Sequence, residues 1–122
     1  LGPTAARPRA VAAARRRAGV TGQDRTFAAL ADPTRRSLFE ALARTGPATA
    51  TDLARERPIS RQAVAKHLLV LREAGLVTAE RAGRETTFTA SSDALDEVTA
   101  WVADVGAAWD RRLERLEQHL RR

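Results

Sequence analysis

A chain of 122 residues, 43% hydrophobic and 30% charged, has the composition of one globular domain and is too short for separate catalytic and regulatory domains. The absence of cysteine excludes disulfides, thiolate metal sites and cysteine nucleophiles, and no apolar run approaches the ~20 residues of a membrane span. The net charge of +6 is concentrated: Arg7, Arg9, Arg15, Arg16 and Arg17 supply most of it within the first 22 residues, which contain no acid. The remainder is nearly neutral, so basicity alone does not argue for a nucleic-acid partner.

Residues 1–23 are rich in Pro, Gly, Ala and Arg and show no spaced apolar face, which predicts a basic arm, flexible or shortly helical over 10–18. Three roles fit such an arm: a solvated tail, a holder of DNA phosphates, or a targeting segment. Leu1-Gly2-Pro3 is also compatible with a cloning remnant.

Residues 24–122 are expected to form the folded domain. A short first helix closes with Phe27, Leu30 and Ala31, and Asp32-Pro33 is a strong helix start, a capping carboxylate followed by proline at the first helical position. The helix 33–44 buries Leu38, Phe39 and Leu42 and stops at Gly46-Pro47. Thr49 and Asp52 have capping-box spacing for a helix of about two turns ending before Pro58, and Ser60 caps the next. The link between these two helices is only a few residues long, the signature of a helix-turn-helix.

The helix after Ser60 runs to about Ala74, with Gly75 where a left-handed cap is wanted. At 100° per residue Val64, Leu68 and Leu71 face the core, while Gln62, Lys66, Leu69 and Glu73 lie opposite, Leu69 being an unexpected apolar residue there. Residues 76–82 and 85–90 read as strands joined by a tight turn at Gly83-Arg84, a β-hairpin wing. The final helix, 93–120, carries Leu95, Val98, Trp101, Val102, Val105, Trp109, Leu113, Leu116 and Leu120 on one stripe. That stripe is longer than the core of so small a domain, so it is expected to bury itself against a second subunit. Phe27, Leu30, Trp101, Val105, Trp109, Leu113 and Leu116 are the expected dimer contacts. For Trp101 and Trp109 two readings stand side by side, ordinary core packing and an aromatic pocket for a small-molecule effector at the dimer seam.

The segments FAALADPTRRSLFEAL, SRQAVAKHLLVLREAGLV, the wing tip AGRE and the terminal W…WDRRLERLEQHL together resemble the ArsR family of winged helix-turn-helix repressors over about residues 24–120. The likeness is greatest to a cysteine-free branch with a tryptophan-containing last helix that accompanies genes for START-like ligand-binding proteins. The resemblance implies a mainly α fold with a β-hairpin wing, a long C-terminal dimerisation helix, and a cytoplasmic homodimer that represses transcription from operator DNA. It does not carry over metal sensing. No cysteine occupies 49–56, where metal-sensing members bear theirs, and the terminal helix offers only the lone His119.

A helix that enters the major groove needs small or polar residues at its start, which Ser60, Arg61, Gln62 and Ala63 provide. Gln62 suits adenine, Arg61 guanine or a phosphate, and Ala63 a thymine methyl. Lys66, the chain's single lysine, and His67 are phosphate candidates one turn on; Arg81 and Arg84 suit phosphates or a narrow minor groove, and the Thr51 hydroxyl a further phosphate. Each has a plainer reading as a solvated or capping residue. No Ser/His/Asp grouping, carboxylate pair, phosphate loop or cofactor fingerprint is present, so no catalytic residue, metal or cofactor is expected. The alternative to a DNA-binding regulator is a winged-helix module that binds protein without sequence-specific DNA contact.

Overall fold

The computed structural model describes residues 21–121 of the chain. Most of the expected basic arm, residues 1–20, lies outside them.

The first helix, α1 (Gly22–Ala31), starts earlier than the expected boundary at residue 24. Thr21 caps it: the Asp24 N–H donates to Thr21 Oγ1 at 3.0 Å, and Asp24 Oδ2 accepts from the Thr21 N–H at 3.3 Å. This Thr-Gly-Gln-Asp box precedes any apolar periodicity, which is why a search for apolar spacing places the start too late. Thr26 is buried, and its hydroxyl donates to the Gly22 carbonyl at 2.9 Å, so no polar atom is stranded.

Helix α2 (Pro33–Thr45) begins as the Asp-Pro signal requires, with the Arg35 N–H donating to Asp32 Oδ2 at 2.9 Å. Its arginines return to α1. Arg35 donates from Nε to the Ala29 carbonyl at 2.8 Å and Arg36 from Nη1 to the Leu30 carbonyl at 2.8 Å, satisfying carbonyls that the end of α1 leaves without partners. Gly46, at φ 96°, closes α2 and hands the chain to a two-residue strand, β1 (Ala48–Thr49). This strand is too short to show alternation and is not predictable from the sequence pattern.

Helix α3 (Ala50–Arg55) and helix α4 (Arg61–Glu73) form the helix-turn-helix. A Schellman motif ends α4: Gly75, at φ 81°, donates to the Arg72 carbonyl at 3.0 Å, and Leu76 donates to that of Leu71 at 2.9 Å. The turn delivers Leu76 into the core, where it is completely buried, and starts β2 (Val77–Ala82). Strand β3 (Glu85–Ala90) returns antiparallel from Ala82↔Glu85 to Val77↔Ala90 and also pairs with β1 through Ala48↔Phe88, giving the sheet order β1-β3-β2.

The core is assembled from Leu38, Phe39 and Leu42 of α2, Leu53 of α3, Val64, Leu68 and Leu71 of α4, and Leu76 and Val77 entering β2. Val64, Leu68 and Leu71 are completely buried, as their shared face predicts.

The last helix, α5 (Asp93–Leu120), spans 28 residues, about 42 Å at 1.5 Å per residue. It docks by its first turns, with Ala94 buried and Leu95 packed on the core. From Trp101 to Leu120 every residue is exposed. Trp101 and Trp109 are 43% and 56% exposed, so packing within the core of their own chain is not their role. Leu30 is half-buried and packs partly against that core. Phe27 remains exposed and meets Trp101 edge to face, ring centroids 5.5 Å apart at 74°.

Candidate nucleic-acid interface

The start of α4 is built for approach by a large, flat, charged partner. Ser60 has extended backbone and accepts the Ala63 N–H on Oγ at 3.1 Å, so the helix begins without a bulky residue at its tip. Arg61, Gln62 and Lys66 project into solvent; Ala63 and His67 are half-buried on the flank. Leu69 shares the open face and is 52% exposed among the described residues.

Two side-chain contacts fix the helix-turn-helix, one across the helix pair and one from its turn to α2. Arg61 donates from Nε to Thr51 Oγ1 at 3.1 Å, joining two of the expected DNA-contacting residues across the helix pair. Arg57, which sequence reasoning passed over, reaches from the turn to the Leu53 carbonyl at 3.2 Å and to the Ser37 carbonyl and hydroxyl at 3.4 Å each. An arginine within a turn reads as solvated, and only the tertiary fold brings Ser37 to it.

Capping carboxylates hold the frame. Asp52 sits below the ordinary carboxylate range, chiefly because the Thr49 N–H and hydroxyl bond it, with the Arg55 charge adding to them. Asp32 is lowered first by the Arg35 N–H, against some desolvation, and further by the charges of Arg35 and His67.

The wing turns at Gly83-Arg84. Gly83 has φ 65° while no other residue type has positive φ among the described residues, the pattern of a type II′ turn with glycine in the first central position. Arg81 folds over this tip, donating from Nε to the Gly83 carbonyl at 3.2 Å, whereas Arg84 is exposed and makes no hydrogen bond or ion pair with the described residues. Between the wing, α3 and α4 lies a cleft of about 420 Å³ lined by Thr51, Arg61 and Arg84 of the expected set, and also by Arg55 and Arg72. The latter two were missed because they lie at helix C-terminal ends, away from the segment where groove readout was sought.

A short-turned helix pair, an open helix with a polar tip, and a flanking arginine-tipped hairpin define a winged helix-turn-helix DNA-binding transcriptional regulator. Comparison with known proteins agrees. Residues 30–80 match a helix-turn-helix domain family. The HTH-type transcriptional regulator Rv2034 of Mycobacterium tuberculosis is 41% identical over 90 residues, covering 74% of this chain and 80% of that protein. The transcriptional repressor SdpR of Bacillus subtilis is 30% identical over 62% of this chain and 83% of its own length. An ArsR-like transcriptional regulator from Rhodococcus sp. RHA1 superposes with a TM-score of 0.70 at 38% identity, over 80% of this chain and 91% of that one. The chain belongs to the ArsR family of winged helix-turn-helix transcriptional regulators.

Among the described residues no group of three His, Asp or Glu side chains could hold a metal ion, and no helix is long and apolar enough to cross a membrane.

Proposed function

We propose that the protein is a cytoplasmic, non-enzymatic repressor that binds a two-fold-symmetric operator as a homodimer. The observation that carries the dimer is the uncovered stripe on α5. Trp101, Val105, Trp109, Leu113 and Leu116 recur every three or four residues on a helix that is exposed from Trp101 to Leu120 among the described residues. An apolar face this long is stable in water when a like face covers it, and a two-fold pair of these helices does so with the same residues on both sides. Phe27, edge to face with Trp101, extends the seam, with the half-buried Leu30 beside it in sequence on α1.

Pairing through α5 gives two copies of α4 related by symmetry, and the operator then consists of half-sites about one helical turn, ~34 Å, apart. Gln62 reads a base edge with Ala63 against a thymine methyl, Arg61, Ser60, Thr51, Lys66 and His67 hold phosphates, and Arg84 and Arg81 serve the wing. The name of the Bacillus subtilis relative supports repression as the outcome. Trp101 and Trp109 at the seam offer aromatic surface to a small apolar effector.

The test is footprinting on the region upstream of the protein's own gene, with the oligomeric state measured by analytical ultracentrifugation. Two protected half-sites one turn apart, bound by a dimer, are expected. Equal and weak binding to every sequence would overturn the regulator reading in favour of a protein-interaction module, and a monomer on DNA would overturn the dimer.

A further inference from the structure

The folded domain divides its arginines into two groups. Arg35, Arg36, Arg57 and Arg81 each spend the guanidinium on backbone carbonyls of their own chain. The guanidiniums of Arg72 and Arg84 make no hydrogen bond or ion pair with any described residue, although both line the cleft between α3, α4 and the wing. Arg61 lines it too, held there by Thr51, with its terminal nitrogens uncommitted.

Position explains what such a cleft meets. With α4 in the major groove and the wing tip over the adjacent minor groove, the cleft between them lies against the sugar-phosphate strand that separates the two grooves. We infer that Arg72 is a phosphate-binding residue: with Arg61 and Arg84 it lines a path for the backbone phosphates of the DNA strand running along this cleft. The inference rests on the DNA-bound reading above and adds to it a residue near the far end of α4, more than two turns beyond the groove-reading segment.

The charge balance favours an anion. Four guanidiniums, those of Arg55, Arg61, Arg72 and Arg84, face two carboxylates. Of these Asp52 is already occupied by the Thr49 cap and by Arg55 at 3.6 Å, and Glu85, beside Arg84, offsets one more charge. Arg72 and Arg61 remain uncompensated, and arginine forks match phosphate oxygens. Thr51 and Thr86 add hydroxyl groups to the same wall. A cation in the last turn of α4 also suits the helix dipole. That role would show in stability and leave the response to salt unchanged.

The experiment measures affinity for an operator selected from a randomised duplex pool, across a salt series, for full-length wild type, Arg72→Gln, Arg72→Lys and Arg44→Gln. Arg44 is an exposed arginine outside the cleft and controls for net charge. Each lost phosphate contact reduces the slope of log K against log salt by about 0.9, hence about 1.8 for a dimer. Arg72→Gln is expected to show that reduction, Arg72→Lys to retain most of the wild-type slope, and Arg44→Gln to match wild type. Equal slopes for Arg72→Gln and wild type, or equal losses in Arg72→Gln and Arg44→Gln, would overturn the inference. Gln62→Ala, run alongside, separates this from failure of the reading beneath it. If Gln62→Ala relaxes sequence preference while Arg72→Gln leaves the slope intact, only the Arg72 phosphate contact is lost. If no variant alters DNA binding, both fall.

Discussion

Arg61 Nε donates to Thr51 Oγ1 at 3.1 Å, so the first residue of α4 is held by the second residue of α3. The bond points the guanidinium into the arginine-lined cleft and leaves its terminal nitrogens for a partner. It is exposed, so its net contribution to folding is small; its effect is on where the charge is presented.

Thr51→Val keeps the side-chain shape and removes the acceptor. The expected outcome is an unchanged thermal midpoint with DNA affinity lowered several-fold for all sequences alike. In a double-mutant cycle with Arg61→Ala the two losses should be less than additive, because both act through one guanidinium. Full additivity in anisotropy titrations would mean that the hydroxyl and the guanidinium contact DNA independently.

Gln62 and Lys66 share the open face of α4 but are expected to fail differently. Gln62→Ala should relax base preference at one operator position, at a cost of about 1–3 kcal/mol for the preferred base. Lys66→Ala should weaken binding to every sequence and leave preference intact. Competition between the operator and single-base variants distinguishes the two, and identical profiles would remove Gln62 from base readout.

Much of this was legible before the fold was seen. Asp32-Pro33, the Thr49–Asp52 box, Ser60 and Gly75 are local devices whose chemistry is complete within a few residues, and each stands where the sequence puts it. The misses are non-local. Strand β1 exists because Ala48 and Thr49 find β3 some forty residues away, and Arg57 is structural because the fold supplies Ser37. Periodicity identified the stripe of α5 and its excess over the core of so small a domain, and the structure places only Ala94 and Leu95 at its start against that core.

That stripe makes the assembly easy to break without unfolding the domain. Trp109 is 56% exposed in the single chain and packs on no core residue. Trp109→Asp or Leu113→Asp should therefore give a folded monomer with an unchanged helical signal. Operator affinity should drop by about 10² or more, because each half-site then binds alone. A dimer persisting in sedimentation would place the interface elsewhere.

The capping carboxylates are expected to contribute to the loss of stability in acid. Asp32 and Asp52 are both lowered in the fold, mainly by backbone N–H groups that bond only the ionised form well. The unfolded chain therefore binds protons more readily. The contribution of each is complete above the ordinary carboxylate value near 3.8 and is lost as pH falls through the lower folded value. Asp32→Asn and Asp52→Asn retain a capping oxygen and remove the titration. Each should lower the thermal midpoint modestly at pH 7 and flatten its decline below about pH 4, where unperturbed aspartates begin to protonate. An acid decline as steep as that of wild type in both variants would assign the loss to other carboxylates.

Gly75 tests whether the wing depends on the end of α4. At φ 81° it occupies the left-handed region, and an added Cβ would meet only the Ala94 Cβ, at 3.9 Å, so the obstacle to a side chain is backbone conformation and not space. Gly75→Ala should cost about 1–2 kcal/mol, the strain of an L-residue in that region. For a domain of about this size that is a fall of roughly 4–16 °C in thermal midpoint. Because the same turn seats Leu76 and starts β2, amides of the wing should exchange faster with solvent in the variant than those of α2. Gly75→Asn should recover part of the loss, since asparagine tolerates this conformation better than alanine. If alanine and asparagine prove equally harmful, the cost arises from the side chain's surroundings and the Schellman turn is not what sets the wing.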